Sequence, residues 1–569
     1  MRVNAAGPRR ARLTLACVLA TALCATSSGA GAWCWTQAAT LLSLRAPLRL
    51  PLRDAAAASW RLILHGPWDT PARAFPTAAE RTGAPAAGAY LLVGVAAIAL
   101  AACCTWALRR ARRRLRSRSP LGIEQGTLAR HAVERGWVRQ HTWAQAGDLR
   151  RLWVAGPAAG RPYLGSIGRT RARMLAAEVE VQPMVIAPPR AGKSSGYVVP
   201  WLLDHDGPAL ALSTKRDVYE ATVAHRRGLG RVWVYDPFGD PASAAFTPLI
   251  PATSWPGAIR AGEALASAAH PDQANAANEF WDKEAASMLA PLLHAAALQH
   301  AGITQVLRWL DARDLGDAAE ILKCNGADAA ADQLEGVARR DERNRETTVM
   351  SALNLLRAYR YPQLATTNTT DLTPERFLDG NANTIYVIAA GHDQELLRPI
   401  ILALLAASYE TAVTRARAHG PLQPRLLILM DEAANIAPVR NLASWLSQCA
   451  DYGIVIATIW QSIAQIDQRY GRPARDAICA ASTAQLFIPP LADPTTSGYL
   501  TSLLGEEVVT NSSGDGQLTV GHRDAGPAPW LRQIPRGQAI LIYRDLPPAI
   551  VRAPGWFEDP RFAGQSDRS

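Results

Sequence analysis

The stretch Ala187–Gly196 reads APPRAGKSSG. It follows an apolar run, VQPMVI (Val181–Ile186), and precedes SGYVVPWLL (Ser195–Leu203). The order is strand, loop, helix, which is the context a phosphate-binding loop requires. The pattern G-x-x-x-x-G-K-[ST] maps onto Ala187, then Pro188, Pro189, Arg190 and Ala191, then Gly192, Lys193 and Ser194, with Ser195 next. Lys193 would reach the β- and γ-phosphates of a nucleotide, and the Ser194 hydroxyl would ligate Mg²⁺. The prolines fall early in the loop, before the Arg190–Ser194 amides that cradle phosphate. Ala187 stands where the pattern has glycine. If that position needs positive φ, alanine costs roughly 1–2 kcal/mol there.

A second stretch gives the loop its partner. RLLILMDEAANI (Arg425–Ile436) carries five apolar residues, Leu426–Met430, that read as a strand buried on both faces. It ends in Asp431 and Glu432. The aspartate can hold Mg²⁺, and the glutamate can polarise the attacking water. A third apolar strand, Ile454–Ile459, ends near Gln461. That glutamine is either a γ-phosphate sensor at the tip of the adjacent strand or an ordinary surface residue. Further strands are expected at Ala209–Leu212, Val232–Tyr235, Thr384–Ala389, Ala484–Ile488 and Ala539–Tyr543, with helical patterns between them. Alternating strands and helices predict a mainly parallel α/β sheet.

Size and composition frame this reading. The chain has 569 residues, more than one hydrophobic core holds, so two or three domains are expected. Apolar residues make up 49% and charged residues 19%, which excludes a largely disordered chain. The net charge of +11 favours anionic partners such as nucleic acid or lipid. The eight cysteines form no CxxC pair, so neither a zinc site nor a disulfide framework is expected.

The N-terminal part reads as a membrane anchor, residues 1–118. Residues 86–108 carry no charge and are long enough to span a bilayer. Seven arginines follow between Arg109 and Arg118, which marks that side as cytoplasmic. The earlier apolar stretch, about 13–35, is either a signal peptide or a first span. Both readings leave residues 36–84 outside and the large C-terminal part facing cytosolic ATP. The outer loop carries six arginines of its own. The cluster Arg109–Arg118 either meets anionic headgroups or guides a DNA backbone.

Several stretches in fixed order carry a family resemblance. They are PPRAGKSSG, STKRDVYEAT (Ser213–Thr222), VWVYDPFG (Val232–Gly239), FWDKEAASMLAPLLHAAA (Phe280–Ala297), LMDEAANIAPV (Leu429–Val439) and IWQSIAQIDQRYG (Ile459–Gly471). Over roughly residues 150–550 the chain resembles the type IV secretion coupling proteins, the TraG-like conjugative DNA transfer ATPases, and more closely their actinobacterial-type branch. The resemblance implies a RecA-like P-loop ATPase domain with an inserted all-helical domain and an N-terminal two-helix membrane anchor. It implies an inner-membrane homo-hexamer that receives a relaxase-bound single-stranded DNA, or a protein substrate, and passes it to type IV secretion channel components.

On that basis the domains are 119–180, a linker and entry; 181–270, the first part of the nucleotide-binding domain; 271–363, the helical insert; 364–550, the second part; and 551–569, a tail. The insert shows apolar residues at three- and four-residue spacing. Its stretch ARRDERNRE (Ala338–Glu346) mixes signs and reads as a solvated face. Arg345, Arg440 and Arg469 are candidates for an arginine supplied to a neighbouring subunit's site. Two rival functions remain: an FtsK-like double-stranded DNA translocase, and a nucleotide-binding membrane scaffold with little turnover.

Overall fold

A computed structural model describes residues 143–168, 173–269, 276–365, 372–512 and 518–562. The expected anchor, its two spans and the Arg109–Arg118 cluster lie outside the described residues.

A 12-stranded sheet organises the chain. Its strands are β1 (Trp153–Val154), β2 (Tyr163–Ile167), β3 (Arg173–Ala176), β4 (Pro183–Ile186), β5 (Ala209–Ser213), β6 (Val232–Tyr235), β7 (Thr384–Ile388), β8 (Leu426–Asp431), β9 (Ile454–Trp460), β10 (Ala484–Phe487), β13 (Gln538–Tyr543) and β14 (Leu546–Arg552). A separate hairpin pairs β11 (Glu506–Ser512) with β12 (Leu518–Asp524). The spatial order is β1-β3-β2-β14-β13-β10-β4-β9-β8-β5-β7-β6. From β6 to β10 every neighbouring pair is parallel. From β10 outward through β13, β14, β2, β3 and β1 every pair is antiparallel. The mainly parallel sheet expected from the sequence therefore carries an antiparallel wing.

The wing was hard to read in the sequence for a local reason. β14 contains Pro547 and Pro548, and proline removes a ladder donor. Both fall at the irregularity where the β13–β14 register slips between Leu541 and Tyr543, the kind of place that tolerates proline.

The parallel strands are buried on both faces, and alternate residues enter different cores. Met184, Ile186, Leu210, Leu212, Ile428 and Met430 belong to one. Val185, Ala187, Ala211, Leu427, Leu429 and Ala457 belong to the other. Against the second core lies helix α1 (Val199–Asp204), through Trp201 and Leu202. Helix α2 (Asp217–Leu229) follows β5.

Between β6 and β7 the chain is helical: α3 (Trp255–Ala266), α4 (Ala276–Leu298), α5 (Ile303–Ala312), α6 (Gly316–Cys324), α7 (Asp328–Ala338) and α8 (Glu342–Leu355). Helix α4 is the axis of this block and touches α3, α5, α6, α7 and α8. The block has no separate core. Its Met288, Leu292, Leu310, Leu334 and Val349 are continuous with the first face of the sheet. Helix α9 (Gln394–His419) also contacts α3. Among the described residues it is the one helix long and apolar enough to cross a membrane, yet its most apolar window is 67% buried. Its Leu397, Ile400, Leu404 and Val413 lie in the sheet's core, so packing explains its apolarity.

Candidate active site

The site forms where β4, β9 and β8 end together. Ile186 pairs with Trp460, and Asp431 with Ile459. β9 lies between the other two, so its register carries both neighbours' tips to one level. The Ala187 N–H extends the ladder by donating to Trp460 O at 2.9 Å.

The loop then turns sharply. Gly192 has φ +91°, and Arg190 has φ +64°, a left-handed conformation that costs a non-glycine residue roughly 1 kcal/mol. Ala187 is not among the positive-φ residues. It is fully buried, and its side chain packs in the second core. The missing first glycine is thus no defect here, because the strain sits at Arg190 instead. One π-helical turn, Ser194–Val198, leads into α1. Gly196 N–H closes the turn onto Gly192 O at 2.8 Å, and the Ser195 hydroxyl donates to the same oxygen at 3.2 Å.

These bonds narrow the possible phosphate donors in Ala187–Ser195. Ala187 N–H is committed to Trp460, Ala191 N–H bonds Pro188 O at 3.3 Å, and Pro188 and Pro189 have no N–H. Arg190 and Gly192–Ser195 remain as backbone donors, at the start of a helix where anions are favoured.

Two side-chain pairs join the loop to β8. Lys193 Nζ lies 3.4 Å from Glu432 Oε1, with side-chain exposures of 10% and 20%. Ser194 Oγ donates to Asp431 Oδ2 at 3.4 Å. Glu432 sits just past the strand at φ +68°, which turns the chain out of β8. Asn435 Nδ2 donates to its Oε2 at 3.4 Å. Gln461 follows the last residue of β9, and its own N–H is held by Gln465 Oε1 at 2.9 Å. It stands at the level of Ala187, one residue past the strand that separates β4 from β8.

Sequence reasoning passed over one residue in direct contact with the site. Ser213 is buried at the end of β5 and donates to Asp431 Oδ2 at 3.3 Å. The apolar run Ala209–Leu212 stops one residue short of it. Backbone pairing carries both Ser213 and Asp431 into the strands, and Leu212 faces Met430. A polar residue directly after an apolar strand was the available signal.

Burial pushes the Asp431 carboxyl up to about 6. The Lys193 ammonium opposes this, the neighbouring Glu432 and Asp217 reinforce it, and the Ser213 hydrogen bond lowers it. Asp431 Oδ1 is buried and has no hydrogen-bond partner among the described residues. A buried carboxylate oxygen without a partner, beside a serine hydroxyl, suits a hard cation that prefers oxygen. Ser194 and Asp431 therefore fit Mg²⁺.

The linkage has a definite sign. A carboxyl raised from 3.8 to about 6 opposes folding as pH climbs through that range, because the charged form is disfavoured. A bound cation reverses this, so Mg²⁺ binding weakens as pH falls through about 6. Ser213→Ala removes a bond that favours the ionised form. It is expected to raise the Mg²⁺ concentration for half-maximal nucleotide binding several-fold and move the acid limb to higher pH. Mg²⁺ titrations at pH 5.5, 6.5 and 7.5 would check this, and superimposable curves for the variant and the parent would contradict it.

The arginine candidates are placed as follows. Arg440 is ion-paired with Asp282, which is 2% exposed on α4. Arg345 donates to Ala338 O at 3.1 Å. Arg469 lies on helix α10 (Ile463–Ala481). At the far edge of the parallel strands, Arg216 pairs with Asp236 at 2.5 Å and Asp240 at 3.2 Å.

Residues 171–525 match the family model for type IV secretory system conjugative DNA transfer. A conjugal transfer protein TraG of Escherichia coli is 25% identical over 415 residues, covering 65% of this chain and 61% of that protein. A second Escherichia coli TraG is 25% identical over 362 residues, 57% and 55% of the two chains. TraG of Agrobacterium fabrum is 30% identical over 116 residues, 20% and 16% of the two. The chain thus spans less than two thirds of the length of these relatives. Among solved structures, the bacterial conjugative coupling protein TrwBΔN70 in complex with sulphate aligns with a TM-score of 0.57 at 16% identity, covering 73% of this chain and 94% of that one. The plasmid coupling protein TrwB in complex with ADP and Mg²⁺ aligns at 0.55, 16% identical, with the same coverage. At such identity the likeness shows a shared α/β fold.

Proposed function

This chain belongs to the type IV secretory system conjugative DNA transfer family, and from that membership we propose that it is an ATPase driving DNA, or a protein substrate, toward a secretion channel. The observation that carries the reading is the meeting of Lys193 and Ser194 with Glu432 and Asp431 at the ends of β4 and β8. A phosphate loop alone supports binding. A carboxylate pair across from it, Asp431 buried and Glu432 partly exposed, supports hydrolysis.

Lys193 reaches the β- and γ-phosphates, and the Arg190 and Gly192–Ser195 amides cradle them. Ser194 and Asp431 hold Mg²⁺, which supplies charge neutralisation on the phosphates. Glu432 orients or deprotonates the attacking water. Lys193 Nζ lies 3.4 Å from Glu432 Oε1, so a bound phosphate and this carboxylate compete for the lysine. Gln461, at the tip of the strand between the two halves, senses the γ-phosphate.

Beyond the site, residues 1–118 anchor the chain in the inner membrane with the described part in the cytoplasm. The block α4–α8 reads the substrate, whether a relaxase-bound single strand or a protein. Six copies form the working ring and hand the substrate to the channel. Ala187, buried and with ordinary φ, gives no support to a scaffold without turnover.

ATP turnover by the purified full-length chain in detergent, with and without single-stranded DNA, tests the proposal. Stimulation by single strands is expected. A preference for duplex would favour a double-stranded DNA pump, and no turnover with Mg²⁺ at high protein concentration would overturn the ATPase reading.

A further inference from the structure

The sheet order assigns the two flanks of the phosphate loop different tasks. Lys193 and Ser194 touch residues of β8, which lies beyond β9 on one side of β4. A nucleotide bound as proposed above directs its terminal phosphate to that side. Its base therefore emerges over the other flank, where β10, β13 and β14 follow β4.

The chain returns to this flank after β14 and runs along the helix that the phosphate loop begins. Ala553 N–H is fixed by Gly537 O at 2.8 Å. Its carbonyl lies so near Gly196 that a Cβ there would meet it at 3.3 Å. Trp556 and Phe562 pack against Val199 and Leu203 of α1. Arg561 donates to Asp204 at 2.7 Å, and its guanidinium lies 4.6 Å from the Tyr163 ring centre. The segment is thus fastened at both ends.

Phe557 is the exception within it. The residue is 58% exposed, whereas Trp556 and Phe562 on either side of it pack against α1. Its ring stands edge-on to Trp556, with centroids 6.1 Å apart at 78°. It lies directly over Gly555, where a Cβ would meet it at 2.6 Å. Any larger residue at 555 would displace the ring. An aromatic side chain on a fastened 3-10 turn, Trp556–Glu558, that packs beside the Ser194–Val198 turn is suited to stacking on a base.

The geometry points to Phe557 as the platform on which the nucleobase of ATP stacks. The inference rests on the nucleotide reading of Lys193 and Ser194. Stacking engages a π-face that every base possesses, so it adds affinity without choosing adenine over guanine.

The test measures binding of Mg-ATP, Mg-GTP and Mg-tripolyphosphate to the full-length chain in detergent by calorimetry. Phe557→Ala is expected to weaken ATP and GTP alike by roughly tenfold and leave tripolyphosphate unchanged. Phe557→Trp should restore base binding. An unchanged ATP affinity in Phe557→Ala, or equal losses for ATP and tripolyphosphate, would overturn the inference while leaving the phosphate site intact. If the parent chain binds neither ATP nor tripolyphosphate, the nucleotide reading itself falls, and this platform falls with it.

Discussion

Lys193→Ala is expected to lower ATP turnover at least about a hundredfold, the order of loss found when one preorganised donor to a developing charge is removed. The cause is twofold. The variant loses the cation for the β- and γ-phosphates. It also leaves Asp431 and Glu432 adjacent with no ammonium between them. Lys193 is the group that opposes the rise of the Asp431 carboxyl. Without it Asp431 holds its proton to higher pH and competes less well for Mg²⁺. Nucleotide binding and turnover should therefore fall together, and conjugal transfer by a strain carrying only the variant should be lost. Membrane insertion should persist, since Lys193 lies far along the chain from the apolar segments. Transfer at the parental level by Lys193→Ala would contradict the proposed mechanism.

Glu432→Gln should give the second largest effect with a different signature. Glutamine keeps the size of the side chain and can still be bonded by Asn435, which reaches Glu432 at 3.4 Å. It cannot accept a proton from water. General-base catalysis contributes about 10²–10⁴-fold, so kcat should fall by that order with KM little changed. The variant should retain Mg-ATP without consuming it. A loss of binding equal to the loss of turnover would place Glu432 in nucleotide binding instead.

The two variants probe opposite ends of one contact, and the sequence made that contact foreseeable. AGKS follows β4, and Asp431 and Glu432 stand at the end of β8. In a parallel sheet the ends of such strands gather on one side. The parallel strands were legible because both of their faces are buried, leaving nearly uninterrupted apolar runs. The antiparallel wing was less legible. β14 is broken by two prolines, and β2 carries Gly165 and Ser166. Ser213 left no apolar signal because it is polar, yet both the backbone ladder and burial continue through it.

Other features had no local signal at all. Nothing near Arg440 announces that it pairs with Asp282, 158 residues earlier in the chain. That pair joins the segment after Glu432 to the first helix of the block α4–α8. Residues 551–569 read as a tail in the sequence. Residues 553–562 instead lie along the phosphate-loop helix, held by the Arg561–Asp204 pair.

What the sequence determined by itself was the chemistry: a phosphate loop, a carboxylate pair at a strand end, and the order of motifs that marks the family. These follow from residue types at short spacing, where local conformation and burial dictate the pattern. Tertiary structure decided how the loop is strained and what covers it. Strain moved to Arg190 because the Ala187 N–H joins the ladder of β9, a strand distant in sequence. The turn that carries Phe557 came beside Ser194–Val198 because β14 ends on the flank of β4 away from β8. Both depend on which strands are neighbours, and strand order is set by packing over the whole sheet.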